Sequence, residues 1–164
     1  MPNRTIPYRT GGVLIFVAIS LVLAPGSIAE LSNVSVGENW ALYPDHHRCA
    51  LLYVYGGVPF KPYVKELYTP GGVNILRDSP TDHKHHHGLM FAVAADGVNF
   101  WEEQTAPGTQ KHVSIKSDLK GNEGFTEALQ WIGPSQDSVI LDETRTVAAH
   151  LVDGTSGTSP VIRY

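Results

Sequence analysis

From residue 31 onward the chain alternates between short apolar runs and clusters of turn-forming residues, and the apolar period is nearer two than 3.6. This pattern predicts strands over residues 31–36, 49–55, 63–68, 73–76, 89–95, 98–101, 112–115, 125–132 and 138–151. Thr69-Pro70-Gly71-Gly72, Asp96-Gly97 and Gly133-Pro134-Ser135 mark turns between them. The run 89–95 is continuously apolar and predicts a strand covered on both faces. No long stretch carries helical periodicity. Many short strands with closely spaced turns predict an all-β fold, an antiparallel β-sandwich, in one domain. Residues 152–160 read as loop, and a strand over 138–151 leaves an unpaired edge unless something follows it. The expectation is a sandwich incomplete at its C-terminal side.

The first 29 residues read differently. Arg4 and Arg9 precede an apolar run over 13–23 broken only by Ser20; Pro25-Gly26 ends it, and Ser27-Ile28-Ala29 offers small residues for cleavage. The expectation is a signal peptide, residues 1–29, cut after Ala29, and a periplasmic or secreted domain, residues 30–164. An uncleaved N-terminal membrane anchor is the alternative. The run is shorter than the roughly 20 apolar residues a spanning helix needs, so no integral span is expected after processing. Removing Arg4 and Arg9 takes the net charge from −4 to −6, which argues against a nucleic-acid partner. Cys49 is the only cysteine, so no internal disulfide can form. In its apolar run it reads as a small buried hydrophobe.

Chemistry concentrates in one place. His83, His85, His86 and His87 are four of the eight histidines, and Asp78 and Asp82 lie just upstream. Crowded imidazoles oppose one another's protonation, so such a block suggests a binding or proton-transfer site. An extended segment would put His83, His85 and His87 on one face, whereas a loop would let His86 join them. Two chemistries remain open. A divalent metal could take His83 with His85, or His85 with His87, and further ligands from Glu102, Glu103, His112, His46 or His47, although no diagnostic ligand spacing is present. Acid–base catalysis could use His83, His85 and His86, with Asp82 or Glu102 paired to an imidazole. Tyr63 and Trp101 could offer ring faces to a small-molecule or carbohydrate ligand, and Arg77 and His87 polar contacts. Arg77 and Asp78 could equally be a simple ion pair. His112 and His150 are single histidines in strands and read as structural.

The runs Lys61-Pro62-Tyr63, Tyr68-Thr69-Pro70-Gly71-Gly72-Val73, Arg77-Asp78-Ser79-Pro80-Thr81-Asp82-His83-Lys84-His85-His86-His87-Gly88-Leu89 and Gly97-Val98-Asn99-Phe100-Trp101-Glu102 resemble the PmoA-like family of exported bacterial proteins. Trp131-Ile132-Gly133-Pro134 and Glu143-Thr144-Arg145-Thr146 are similar to later parts of that family. The resemblance covers roughly residues 50–148. It implies a mutarotase-like supersandwich of which this chain holds the first half, and a site involving His83, His85 and His86. Where the family often has arginine, this chain has His87, exchanging an anion contact for a ligand or proton carrier. The expected function is carbohydrate binding or proton transfer on a sugar. The alternatives are a metal-binding protein or metal-dependent enzyme, and a non-catalytic or truncated remnant.

Overall fold

The structure, a computed structural model, describes residues 13–21, 32–43, 49–69, 71–117, 123–151 and 161–163. Eleven strands appear among them: β1 (Val13–Leu21), β2 (Ser32–Val36), β3 (Asn39–Tyr43), β4 (Leu51–Val54), β5 (Tyr63–Leu67), β6 (Ala94–Ala95), β7 (Val98–Asn99), β8 (Thr109–Lys116), β9 (Glu123–Ile132), β10 (Val139–Leu151) and β11 (Val161–Arg163). One sheet has the order β2-β3-β4-β5, a second the order β11-β1-β10-β9-β8, and β6 and β7 form a small ribbon. The fold is all-β and sandwich-like, antiparallel except where β1 runs parallel to β10.

The two large sheets are joined through their side chains. Trp40, Leu42, Leu51, Tyr53, Val64 and Leu67 from the first pack with Phe125 and Val147 from the second. The two-residue period decides which residues enter. Along β9, Phe125, Glu127, Leu129 and Trp131 are buried while the residues between them are only partly covered. Along β10 the buried members are Glu143, Arg145 and Val147. Charged groups therefore occupy inner positions. Cross-strand pairing sets Arg145 opposite Glu127. The guanidinium donates to Glu143 (2.7 and 3.1 Å), Gln110 Oε1 (2.9 Å), the Pro62 carbonyl (2.8 Å) and Tyr53 Oη (3.1 Å). Trp131 Nε1 donates to Glu143 at 2.6 Å, and Tyr53 donates to Glu127. Buried charge is tolerated when every member is paired in this way. A second apolar cluster, Ala92, Phe100 and Trp131, lies under the β6–β7 ribbon.

The connection between β4 and β5 ties the layers together. The Gln110 main-chain N–H donates to the Phe60 carbonyl at 2.7 Å, Arg145 reaches the Pro62 carbonyl, and Lys61 is buried between them in sequence.

Several strand expectations change. Residues 73–76 form no strand: Asn74 makes one bridge to Tyr68, and its Oδ1 accepts the N–H groups of Leu67 and Leu76 in place of a ladder. Residues 89–95 are not a doubly covered strand. Leu89 bridges Val64 and only Ala94–Ala95 pair further, which leaves Phe91 and Val93 exposed. β3 was not predicted; it returns from β2 through a turn at Gly37 (φ +60°) and Glu38. The Asp96-Gly97 turn is present, with both residues at positive φ, as a two-residue hairpin between β6 and β7 requires. The apolar run expected as the heart of a leader, apart from the fold, is β1 here, lying between β11 and β10. Val, Ile and Phe fill five of its nine positions, a composition that suits a strand as well as a leader. The flanks of that leader, residues 1–12 and 22–29, lie outside the described residues, as do His46 and His47.

Candidate functional site

The histidine block is a loop, not an extended segment. The His83 N–H donates to the Pro80 carbonyl and the His86 N–H to the His83 carbonyl, giving two successive turns, and the Ser79 N–H closes them onto the His86 carbonyl, each at 2.9 Å. The alternating-face arrangement of His83, His85 and His87 is therefore not formed. Past the block, Leu89 exchanges two main-chain hydrogen bonds with Val64 of β5. Gly88 is the residue that allows this approach: a Cβ there would sit 2.1 Å from the Val64 carbonyl oxygen.

Coiling the loop gathers three imidazoles. His83 stacks on His86 with centroids 4.8 Å apart, His85 meets His86 edge-on at 4.4 Å, and His83 and His85 are 6.2 Å apart. Trp101 closes the group from the loop after β7, its ring 5.5 Å from His86. Asp82 lies 3.2 Å from His83 Nδ1. Its own main-chain N–H, the His83 ring and the Arg77 charge hold the Asp82 carboxyl below the usual range. Partial desolvation and the neighbouring His85 and His83 rings push His86 down, favouring its neutral form.

His87 turns away into a partly buried ionic set. Its Nδ1 lies 3.1 Å from Asp78 Oδ1 and 3.0 Å from Ser79 Oγ, and its Nε2 lies 3.0 Å from Glu103 Oε1. Lys61 Nζ donates to the same Glu103 oxygen at 2.5 Å and to the Trp101 carbonyl at 3.3 Å. Tyr63 stacks on His87 at 4.6 Å and donates to Asp78 Oδ2 at 3.2 Å. Burial and the Asp78 charge push the Tyr63 phenol upward, so it remains a donor.

The sequence-derived assignments divide accordingly. His83, His85, His86, Asp82 and Trp101 come together at the surface. Arg77 is exposed and its charge acts on Asp82; Asp78, its alternative ion-pair partner, has its oxygens taken by Tyr63, Ser79 and His87. Tyr63 is buried and supports His87, so its ring is not open to a ligand. His87 likewise braces the loop from beneath. The carboxylate that meets an imidazole from the Glu102-Glu103 pair is Glu103; Glu102 is exposed, its N–H held by Asn99 Oδ1. Lys61 was given no site role; its only signal was its place in the run Lys61-Pro62-Tyr63 that carries the family resemblance. Among the described residues, no three His, Cys, Asp or Glu side chains are arranged to hold a metal ion; the ligand candidates His46 and His47 lie outside those residues. Cys49 gives its thiol hydrogen to the Leu51 carbonyl at 3.2 Å, and burial pushes the thiol up, which suits an inert residue.

A protein-family model, described as a family of unknown function (DUF6807), matches residues 46–161. The chain belongs to that family. The DUF6807 match contains the whole histidine loop, Lys61 and Glu103. Comparison with curated proteins and with solved structures found no match. Among the described residues, no helix is long and apolar enough to cross a membrane.

Proposed function

We propose that this chain is an exported protein whose histidine loop binds a carbohydrate or a similar polyhydroxylated small molecule, with His86 as the group that exchanges a proton with it. The observation that carries this reading is the gathering of His83 and His85 around His86, whose ring meets Trp101, on a loop braced by the Asp78–His87–Glu103–Lys61 set. A neutral imidazole accepts a hydroxyl proton, and an exposed indole offers an apolar face to the C–H groups of a sugar ring. The buried ions beneath fix the loop, so the three rings are presented in one arrangement rather than many. Proton transfer at a sugar carbon or glycosidic oxygen is the reaction class that fits. Export rests on the leader 1–29, and an exported chain starting at Glu30 is its check.

Trp40 and Trp131 are 1% exposed and Trp101 is 41% exposed, so quenching of indole emission by a soluble ligand reports on Trp101. A panel of neutral mono- and oligosaccharides should give saturable quenching with at least one member. Trp101→Ala and His86→Ala should each remove it while circular dichroism stays unchanged. Saturable binding that survives in both variants, or none across the panel, would refute the proposal.

A further inference from the structure

The two walls of the proposed ligand site come from different parts of the chain. His83, His85 and His86 stand on the loop before β6, and Trp101 stands on the loop after β7. His86 and Trp101 meet edge-on, with centroids 5.5 Å apart. Trp101 is 41% exposed, so no surrounding core sets the place of its ring. Its main chain is held instead. The Trp101 N–H donates to Asn99 Oδ1 at 2.9 Å, and its carbonyl accepts the Lys61 amine at 3.3 Å. The same amine donates to Glu103 Oε1 at 2.5 Å, so one group grips this loop at two points. Glu103 Oε1 in turn lies 3.0 Å from Nε2 of His87, the residue after His86. Lys61 thereby touches the Trp101 wall directly and the histidine wall through one carboxylate.

The main chain around Lys61 is fastened on both sides. The Phe60 carbonyl accepts the Gln110 N–H at 2.7 Å, and the Pro62 carbonyl accepts Arg145 at 2.8 Å. Both donors belong to the opposite sheet, on β8 and β10. Lysine is rarely buried, yet Lys61 is 2% exposed. The desolvation of a buried lysine–carboxylate pair offsets most of its attraction, so stability alone does not account for the amine's place. Geometry does: the amine is a fixed donor sent from the core to a surface loop. An amine donates to a carbonyl and to a carboxylate whether or not His87 carries a second proton.

We infer, on the ligand reading above, that Lys61 is the positioning residue of the histidine-loop site, holding Trp101 against His86 so that both rings are in place before the ligand arrives. A ligand that meets ordered side chains does not bear the cost of ordering them.

The test uses the full chain with labelled tryptophan and histidine side chains and reads proton cross-peaks between their rings without ligand. The wild type should show a Trp101–His86 cross-peak. Lys61→Met keeps the length of the side chain and removes the amine. It should abolish that cross-peak and leave the indole N–H signals of the buried Trp40 and Trp131 in place. It should also weaken binding of whichever saccharide quenches wild-type Trp101 by about 10-fold, the effect of leaving two side chains to be ordered by the ligand. Glu103→Gln still offers the amine an oxygen and should keep the cross-peak. Where Lys61→Met alone unfolds, the double variant with Glu103→Gln, which leaves no orphaned carboxylate, gives the same reading. A cross-peak absent from the wild type, persisting without the amine or lost in Glu103→Gln overturns the inference, as does an unchanged saccharide affinity in Lys61→Met. Loss of the Trp40 and Trp131 signals in both the single and the double variant also overturns it, because Lys61 then serves the core. A wild-type chain that binds no saccharide refutes the ligand reading alone, and the hold of Lys61 on Trp101 is still decided by the cross-peak.

Discussion

Replacing Arg145 by methionine tests whether the charged interior is structural. The side chain is nearly fully buried, and the substitution keeps most of its volume while removing a cation that serves Glu143, Gln110, Tyr53 and the Pro62 carbonyl. Buried Glu143 loses its ion-pair partner, and Glu127 loses a nearby positive charge that reaches it past Tyr53. Breaking one side of a buried ion pair costs about 3–5 kcal/mol. A domain of this size has roughly 5–15 kcal/mol in total. With a urea dependence of about 2 kcal/mol/M, a loss of about 4 kcal/mol lowers the unfolding midpoint by about 2 M. The pH dependence supplies a second signature. Burial already raises Glu127 above the ordinary carboxylate range, against the lowering effects of Tyr53, His112 and Arg145. A carboxyl raised in the folded state contributes stability that is lost as pH rises from its unfolded value, about 4.3, through its folded one. Removing Arg145 raises it further, so the deficit of Arg145→Met should be smallest near pH 4–5 and grow toward pH 8. Adding Glu143→Gln should restore part of the loss, because one orphaned charge is then gone. A midpoint shift below about 0.5 M, or a deficit that deepens toward acid, would refute the account.

Two further outcomes follow from the histidine loop. Gly88→Ala should push the loop off β5, because the new methyl meets the Val64 carbonyl oxygen; a loss of about 1–3 kcal/mol is expected, with faster hydrogen exchange at the Val64 and Leu89 amides, and unchanged exchange there would rule out the contact. His86 is pushed below its ordinary value, so the folded state binds its proton less readily than the unfolded state does. Stability should fall as pH drops from about 6.5 through the folded value, and His86→Asn should flatten the melting temperature between pH 7 and 5; identical slopes in variant and parent would count against the crowding of the three rings.

The sheet content was legible because most strands obey a period of two and end at Gly, Pro or Asp-Gly signals, as β5, β9 and β10 do. The interior was not legible. Glu127, Glu143 and Arg145 stand at inward positions where a polarity pattern places them outside, and only pairing across β9, β10 and β4 explains their burial. Apolar composition misled at 89–95, since seven apolar residues in a row carry no information about which face is covered. The histidine loop was visible as a density of imidazoles, but its inner support was not. Glu103 and Glu102 are equivalent on paper, and a one-residue difference in where the chain leaves β7 decides which is buried. Glu127 and His112 lie too far apart in sequence for any spacing rule to join them.

The short connection between β4 and β5 constrains how the molecule can be altered. Within three consecutive residues, Phe60 and Pro62 offer carbonyls to the opposite sheet and Lys61 sends its amine beneath the histidine loop. An affinity tag, reporter or circularly permuted end placed there would unfasten the two layers and the loop together. The exposed tip at Asp96-Gly97 has no such duties, and it is where foreign sequence can be grafted with least disturbance.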